Sequence, residues 1–461
     1  MNRYKNLLGN TIIFAVGNLG SKLISFLLVP FYTFVLTKQE FGTVDLITTT
    51  MNMLLPIITL SIFDAVFRFA LDRNMDEDEI LSNGFFISLT TLIAGAILIP
   101  LLIMMNVSHP IYIYLLLFTG AFSSLFLNFS RAIGRIKLFA VAGIIGTLII
   151  AITNIIFLLI MNLKIEGYLL SIILSNIIVT AYLLISTRDF AKIRWNLVNK
   201  KLIKKMLLYS MPLIPNSFSW WVNTSADRFF ILFFIGASAN GIYAVASKIP
   251  SVLNILNQIF FQSWQMSAVQ EYDSSDAQKF YSDIFNYYQS FQFLIISGFL
   301  VILKPLMKII VSPTYYSSWK YIPFLLLAVL YSSLSGFIGT TYTAAKHTNK
   351  ILITTMIGSI VNIVLGFILV PVLGLQGASL SGCLSFLLVL VIRLVDSKNI
   401  IPITVDTSKV LINHLLVIFM IIILFSKLEI PKILLLNMVM FIISMLVNGR
   451  LILNIKNLKR D

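Results

Sequence analysis

The residues best suited to chemistry are charged side chains that interrupt long apolar runs of this 461-residue chain. The basic ones are Lys22, Arg68, Arg228 and Lys248, and the acidic ones are Asp45, Asp64 and Asp227. A charge near the middle of a membrane-spanning helix costs on the order of 2.5–3.5 kcal/mol on insertion scales, so such residues face protein or water. A cation held in this way can bind an anionic group, and a carboxylate can couple an ion or pair with a cation.

Polar side chains follow these charges at helical spacing and form three predicted stripes. The members are Thr11, Asn18, Ser21, Lys22 and Ser25 in the first apolar run, Asn216, Ser219, Trp220, Asn223 and Asp227 in the seventh, and Lys248, Ser251, Gln258 and Gln262 in the eighth. We therefore predict a substrate-binding set whose members are Lys22, Arg228, Lys248, Asn18, Asn216, Asn223 and Gln258.

Each charge also has a structural explanation. A buried cation can serve only to neutralise a carboxylate, and a lysine near a helix end can extend outward to the membrane surface. The alternatives are a Lys22–Asp45 pair, pairing of Asp227 and Arg228 across the two halves, an Asp64–Arg68 pair at i,i+4 spacing, and an outward-reaching Lys248. Asp227, Asp64, Arg68 and Asp45 are therefore predicted either to couple an ion or to form salt bridges.

Composition argues against soluble-enzyme chemistry. Hydrophobic residues make up 58% of the chain and charged residues 11%, whereas soluble domains carry roughly 25% charged residues. The single cysteine cannot form an intrachain disulfide, the three histidines match no metal-ligand spacing, and neither a phosphate-binding glycine loop nor a nucleophile elbow is present. We expect no catalytic activity, no cofactor and no metal. The formal charge of +15 is explained by membrane topology, and no nucleic-acid partner is expected.

Apolar runs predict an all-α membrane protein with about 14 transmembrane helices, since about 20 mostly apolar residues cross a bilayer. The predicted spans are 8–36, 41–70, 81–105, 111–130, 138–161, 167–186, 208–235, 241–266, 284–311, 321–345, 350–372, 375–395, 408–426 and 431–453. The first is too long for a cleaved signal peptide and is expected to be an uncleaved span.

The distribution of lysine and arginine orients these spans. With the N-terminus in the cytoplasm, the inner segments hold 23 of the 34 basic residues and the outer loops hold seven. Both termini are then cytoplasmic. The basic stretch 187–207 is the main topological anchor, and it is predicted to lie on anionic lipid rather than to bind a protein partner.

Internal similarity predicts two halves. The segment beginning at Asn154 resembles the one beginning at Asn362, and Glu166-Gly167 resembles Gln376-Gly377, at offsets of 208 and 210. The predicted organisation is a six-helix bundle at 1–186, a cytoplasmic connector at 187–207, a second six-helix bundle at 208–400, and two additional helices with a basic tail at 401–461. The two bundles are expected to surround a central cavity.

Several motifs resemble those of Wzx-type polysaccharide flippases. They are Lys5-Asn-Leu-Leu, Lys22, Pro30-Phe-Tyr-Thr, Glu40-Phe-Gly-Thr-Val-Asp45, Asp64-Ala-Val-Phe-Arg68, Pro212-Leu-Ile-Pro215, Asp227-Arg228-Phe and Gly241-Ile-Tyr-Ala followed by Lys248. The resemblance covers nearly the whole chain. It implies the fold of the multidrug/oligosaccharidyl-lipid/polysaccharide exporter superfamily, with alternating access in a bacterial cytoplasmic membrane.

The resemblance also implies the substrate, an undecaprenyl-diphosphate-linked oligosaccharide repeat unit that moves to the outer leaflet for capsule, O-antigen or exopolysaccharide assembly. Its partners would be this lipid-linked oligosaccharide and membrane lipids, with a polysaccharide polymerase as a further candidate. The rivals are a lipid II flippase, a drug/cation antiporter of the same superfamily and a membrane glycan polymerase. The short predicted outer loops disfavour the polymerase, and the intramembrane cations disfavour a carrier of cationic drugs.

Overall fold

The computed structural model describes residues 20, 24–72, 74–187, 189–345 and 347–455. The described residues form helices and connecting turns, without a β-strand. Contacts divide the chain into two compact units, Met1–Trp221 and Val222–Asp461. The predicted domain boundaries at 186, 207 and 400 stay predictions.

The first unit contains ten helices within its described part, the last of which continues into the second unit. They are α1 (Ile24–Val35), α2 (Lys38–Ile58), α3 (Ile62–Ala70), α4 (Glu77–Gly95), α5 (Leu98–Met104), α6 (Pro110–Ala132), α7 (Ile136–Asn154), α8 (Lys164–Thr187), α9 (Lys200–Ser210) and α10 (Leu213–Ser225). A π-helical turn, Ile155–Ile160, extends α7. A core of buried side chains joins α3, α4 and α6, and Leu202 and Met206 of α9 complete it.

The second unit continues with nine helices in the described residues. They are α11 (Asp227–Phe234), α12 (Ala237–Ala246), α13 (Lys248–Glu271), α14 (Ala277–Ile310), α15 (Ile322–Ala344), α16 (Thr348–Leu373), α17 (Leu375–Asp396), α18 (Thr407–Phe425) and α19 (Ile430–Ile455). Helices α15, α16 and α17 pack closely, and α18 and α19 pack against α14. A 3₁₀ turn, Pro313–Lys320, connects α14 to α15.

Eleven helical stretches of the described chain are long and apolar enough to cross a membrane. They are Lys38–Ile58, Glu77–Met104, Pro110–Ala132, Ile136–Ile160, Lys164–Thr187, Ala277–Ile310, Ile322–Ala344, Asn349–Leu373, Leu375–Asn399, Thr407–Phe425 and Ile430–Gly449. The all-helical membrane fold is thereby confirmed. The count of fourteen stays a prediction, because the first predicted span lies partly outside the described residues and the seventh and eighth fall on interrupted helices.

Three predicted spans that contain charged residues are interrupted. Between α2 and α3, Leu60 and Ser61 adopt left-handed backbone with φ of 53° and 49°, and the Ser61 amide donates to the Pro56 carbonyl at 2.7 Å. Helix α10 gives way to α11 at Ala226, and α12 gives way to α13 at Ser247. By contrast, α14 continues through Pro305. Interrupted helices at membrane depth are tolerated where protein or a polar cavity surrounds the break.

The basic connector is folded onto the first unit. On α4, the Ser82 hydroxyl donates to the Lys192 carbonyl at 3.1 Å, and the Asn83 amide donates to the Leu197 carbonyl at 2.9 Å. These two buried side chains satisfy the carbonyls that end two 3₁₀ turns, Asp189–Lys192 and Trp195–Leu197. The connector therefore has a defined path along α4 before α9 begins.

Candidate functional site

The charged residues predicted from the sequence lie beside the helix breaks. Asp64 is the third residue of α3, Asp227 is the first residue of α11, and Lys248 is the first residue of α13. Broken helices free backbone groups and leave helix ends inside the protein, which is how many transporters build binding sites. The predicted charges and the observed breaks therefore coincide at three places along the chain.

In the second unit, Asp227, Arg228 and Tyr243 form a charged cluster. The Arg228 guanidinium lies 3.4 Å from an Asp227 carboxylate oxygen, and the Arg228 backbone amide donates to the same oxygen at 3.1 Å. The hydroxyl of the fully buried Tyr243 donates to the other oxygen. Asp227 and Arg228 thus contact each other as adjacent residues, whereas their predicted pairing across the two halves stays a prediction, and Tyr243 is a third member that the sequence interpretation missed.

This cluster holds a cation at a defined position. The side chains of Asp227 and Arg228 are each 13% exposed, and the Arg228 guanidinium also donates to the Thr224 carbonyl at 3.4 Å. Its carbon lies 6.0 Å from the centre of the Tyr243 ring. These contacts fix the guanidinium beside the carboxylate.

Asn223 was predicted to bind substrate, but the structure uses its side-chain amide within the protein. The side chain is 5% exposed. Its amide donates to the Thr355 carbonyl at 3.1 Å and to the Ser359 hydroxyl at 2.8 Å, both on α16. Asn362 of the same helix donates to the Asn223 backbone carbonyl at 3.2 Å. These bonds join the end of α10 to α16, next to the charged cluster.

Helix α13 carries an exposed polar stripe. Ser251, Asn254, Gln258 and Gln265 are all exposed, and their spacing of three, four and seven places them on one side of the helix. The opposite side is buried through Asn257 and Trp264. Lys248 stands at the start of this helix and is half-buried. Asn254 and Gln265 were missed by the sequence interpretation, although their spacing from Gln258 could have identified them.

In the first unit, the charge partner of Asp64 differs from the prediction. Asp64 interacts electrostatically with Arg131, the penultimate residue of α6. The Arg131 guanidinium stacks 4.0 Å from the centre of the Phe67 ring. Arg68 is exposed, and an Asp64–Arg68 pair is absent from the ion pairs of the described residues. The predicted i,i+4 pair was wrong because Asp64 meets a cation from another helix.

The remaining predicted residues lie in the first unit or outside the described residues. Asp45 interacts electrostatically with Tyr168, whose ring lies 5.0 Å from the Tyr32 ring. Asn216 is half-buried on α10. Lys22 and Asn18 fall outside the described residues, so their predicted roles stay predictions.

The fold defines the class of protein, a multi-pass membrane protein with the fold of the multidrug/oligosaccharidyl-lipid/polysaccharide superfamily. A solved structure of the lipid II flippase MurJ in an inward closed conformation is similar, with a TM-score of 0.72 and 15% identity, covering 96% of this chain and 100% of that one. An inward-facing MATE family multidrug resistance transporter has a TM-score of 0.69 and 13% identity, covering 82% and 94%. At these identities the similarity concerns the fold.

Sequence comparison then gives the family. Residues 7–264, more than half of the chain, match the family described as polysaccharide biosynthesis protein, and the chain belongs to this family. A relative, Lsg locus putative protein 1 of Haemophilus influenzae, is 25% identical over 260 residues, which is 54% of this chain. The match spans 62% of the length of that relative. The resemblance to polysaccharide flippases is thereby confirmed, and the matched region includes all three helix breaks.

Proposed function

We propose that this protein is a flippase for undecaprenyl-diphosphate-linked oligosaccharide repeat units. It moves them from the cytoplasmic to the outer leaflet of a bacterial cytoplasmic membrane for surface polysaccharide assembly, and both of its termini are cytoplasmic. The observation that carries this proposal is the α12–α13 region, where a cation, Lys248, begins a helix with an exposed stripe of carboxamides. This region lies inside the segment that matches the polysaccharide biosynthesis family.

The chemistry of the substrate matches these two kinds of group. A diphosphate with several sugars cannot cross hydrocarbon unaided, because its polar groups would lose their hydration. Cations replace the water around the diphosphate, and carboxamides, which donate and accept hydrogen bonds, replace the water around sugar hydroxyls. The lipid tail meanwhile stays in the bilayer. A membrane potential that is negative inside favours outward movement of the anion by about 2.3 kcal/mol per charge per 100 mV.

We assign roles on this basis. Arg228 and Lys248, together with Lys22, contact the diphosphate, and Gln258, Asn254 and Gln265 contact sugars. Asn18 and Asn216 are further polar contacts. Asn223 acts as a positioning residue, because its amide is directed to α16.

The carboxylates are assigned to positioning rather than to ion coupling. Asp227 accepts hydrogen bonds from Tyr243 and lies against Arg228, and Asp64 has Arg131 as its charge partner. Each carboxylate thus faces a cation of the protein, and we assign it to orienting that cation. The drug/cation antiporter is disfavoured for the same reason, since these acidic groups already face cations.

The direct test is transport by purified protein in proteoliposomes that contain a labelled undecaprenyl-diphosphate oligosaccharide. We expect Arg228→Ala and Lys248→Ala each to lower the flipping rate at least tenfold, and the triple change with Lys22→Ala to abolish it. Lys279→Ala, which removes an exposed cation at the start of α14, is the matched control and is expected to flip normally. Full activity of the triple variant would refute the assignment of these cations.

A second experiment separates the proposal from the lipid II alternative. The gene is expressed in one strain depleted of its lipid II flippase and in another that lacks its polysaccharide flippase. Restored surface polysaccharide without restored growth of the first strain supports the proposal. Restored growth of the strain depleted of lipid II flippase would instead assign the protein to cell-wall synthesis.

A further inference from the structure

A second cationic site lies at the end of α14, away from the helix breaks. Lys304 is only 9% exposed, although lysine is almost never fully buried unless it is paired. Its ammonium lies 4.3 Å from the centre of the Trp319 ring. Trp319 in turn packs on Phe425 of α18, with ring centres 5.2 Å apart. The charge is therefore held in an aromatic corner between α14, the Pro313–Lys320 turn and α18.

This ammonium has no anionic partner within the described part of the chain. The ion pairs there include none that involves Lys304, Lys308 or Lys320, and Glu429, in the turn after α18, pairs with Lys432 at 3.6 Å. The charged neighbour of Lys304 is another cation, Lys320, which repels it. Three cations, two near the end of α14 and one in the following 3₁₀ turn, thus lack an ion pair within the described residues.

The contacts seen do not offset the cost of this arrangement. A cation–π contact contributes roughly 0.5–2 kcal/mol, whereas removing an ion from water without a partner costs several kcal/mol. The dipole of α14 favours cations within its last turn, and that turn contains Lys308, whereas Lys304 lies further inside the helix. An anion between Lys304 and Lys320 would offset the repulsion between the two lysines and would supply the charge partner that Lys304 lacks.

The surroundings indicate where that anion comes from. Helix α14 is one of the candidate membrane spans, and at this end it exposes the apolar side chains of Ile302 and Ile309, 44% and 80% exposed. Apolar exposure on both sides of Lys304 places the lysine close to the boundary of the hydrocarbon, where the phosphates of lipid head groups are concentrated.

We propose that Lys304, Lys320 and Trp319 form a binding site for the phosphate of an anionic lipid head group. The two ammonium groups bind the phosphate, and Trp319 keeps Lys304 in position. The site discriminates against zwitterionic lipids, because a choline cation would be repelled by the two lysines. It is independent of the proposed flippase activity.

The test is the rate at which Lys304 is acetylated in the full-length protein, measured by mass spectrometry of the peptide that contains it. The protein is placed in nanodiscs of phosphatidylcholine alone or of phosphatidylcholine with phosphatidylglycerol, and in detergent with or without inorganic phosphate. We expect phosphatidylglycerol to slow acetylation of Lys304 at least fivefold relative to phosphatidylcholine, after correction by the exposed Lys432. Lys320→Met, a change at an exposed residue, is expected to remove most of this protection, and Lys308→Met is expected to retain it.

Equal acetylation in both nanodiscs, or equal protection in the wild type and Lys320→Met, would overturn the site. Protection by inorganic phosphate in detergent as strong as that by phosphatidylglycerol would support a phosphate site but overturn the lipid as its source.

Discussion

At the scale of single residues, the charged cluster depends on a buried tyrosine. The Tyr243 hydroxyl donates to one oxygen of the Asp227 carboxylate. The other oxygen of this carboxylate contacts the guanidinium of Arg228 and orients it. Tyr243 is fully buried, so its own contact with substrate is excluded in this conformation. Its effect on transport would therefore pass through Asp227 and Arg228.

Tyr243→Phe tests this chain of contacts. Loss of one hydrogen bond to a charged group corresponds to about 1.5 kcal/mol, so we expect the flipping rate to fall about tenfold with the affinity for substrate also weakened. Tyr316→Phe, which removes a hydroxyl from the turn between α14 and α15, serves as the control. The flipping rate and the substrate dependence in proteoliposomes are the measurements, and an unchanged rate would show that the hydroxyl has no part in transport.

Arg393 is a buried cation of the second unit, near the end of α17. It is 3% exposed and its guanidinium donates to the Thr354 hydroxyl, the Ser335 carbonyl and the Thr355 hydroxyl at 2.9–3.0 Å. Gly339 makes room for it, since a Cβ atom there would lie 3.0 Å from the guanidinium. The planar guanidinium group, whose nitrogens form a fork of donors, thereby joins α15, α16 and α17.

Arg393→Lys keeps the charge and removes the fork. One ammonium cannot reach three acceptors on two helices, so we expect the thermal midpoint in detergent to fall by several degrees, for a loss of about 1–3 kcal/mol. Arg194→Lys, at an exposed position, is expected to leave the midpoint unchanged. If both variants unfold at the wild-type temperature, the fork is not a stabilising contact.

Some of these residues could be predicted from the sequence and others could not, for a physical reason. Lys248 and Arg228 stand out because a charge in an apolar run is costly. The partner of Asp64 could not be predicted, because helical periodicity relates residues of one helix and Arg131 belongs to another. Asn223 looked like a ligand because its face was polar, yet that face packs on α16.

At the scale of helices, close packing depends on glycine at the helix hairpins. A Cβ atom on Gly377, near the start of α17, would lie 2.1 Å from the Leu369 carbonyl oxygen of α16. Gly167 has a similar place near the start of α8, where a Cβ atom would meet Leu163 and Phe157 at 3.0 Å. These two glycines are the ones that the internal similarity aligned, and the two-fold repeat stays a prediction.

Gly377→Ala is expected to separate α16 from α17. The obstacle is backbone, which cannot rotate away as a side chain would, so we expect a loss of about 1–3 kcal/mol and reduced yield of folded protein. Gly382→Ala on the same helix is the matched control, since nothing lies within 4 Å of a Cβ atom there. Its thermal midpoint should stay the same or rise, because alanine favours helix over glycine. A normal midpoint for Gly377→Ala would contradict the close approach.

Helix position was predictable while helix continuity was not. Hydropathy responds to the summed apolar character of about 20 residues, so the long apolar spans such as α14 were found near their correct bounds. A helix break depends on a few backbone angles, as at Leu60 and Ser61. Leucine and serine do not indicate a left-handed backbone conformation, so the sequence did not predict this break. The polar residues within the second and eighth predicted spans were the feature of the sequence that could have indicated a break there.

At the scale of the whole molecule, orientation across the membrane follows from the distribution of basic residues. Helix α9 presents Lys200, Lys201, Lys204 and Lys205 to the exterior, while Leu202 and Met206 anchor it in the first unit. Such a surface is attracted to the anionic cytoplasmic leaflet by about 1 kcal/mol per basic residue. The proposed orientation therefore places α9 inside the cell and the turn between α18 and α19 outside.

Single-cysteine labelling tests this orientation, because the native Cys383 is 5% exposed and supplies little background. In a Cys383→Ser chain, we expect Glu429→Cys, in the turn between α18 and α19, to react with an impermeant maleimide on intact cells. Lys200→Cys on α9 is expected to react only after the membrane is permeabilised, because the proposed topology places the two positions on opposite sides of the membrane. The Cys383→Ser chain without added cysteine provides the background and must retain transport. Labelling of Lys200→Cys in intact cells, with Glu429→Cys protected, would invert the topology and with it the proposed direction of transport.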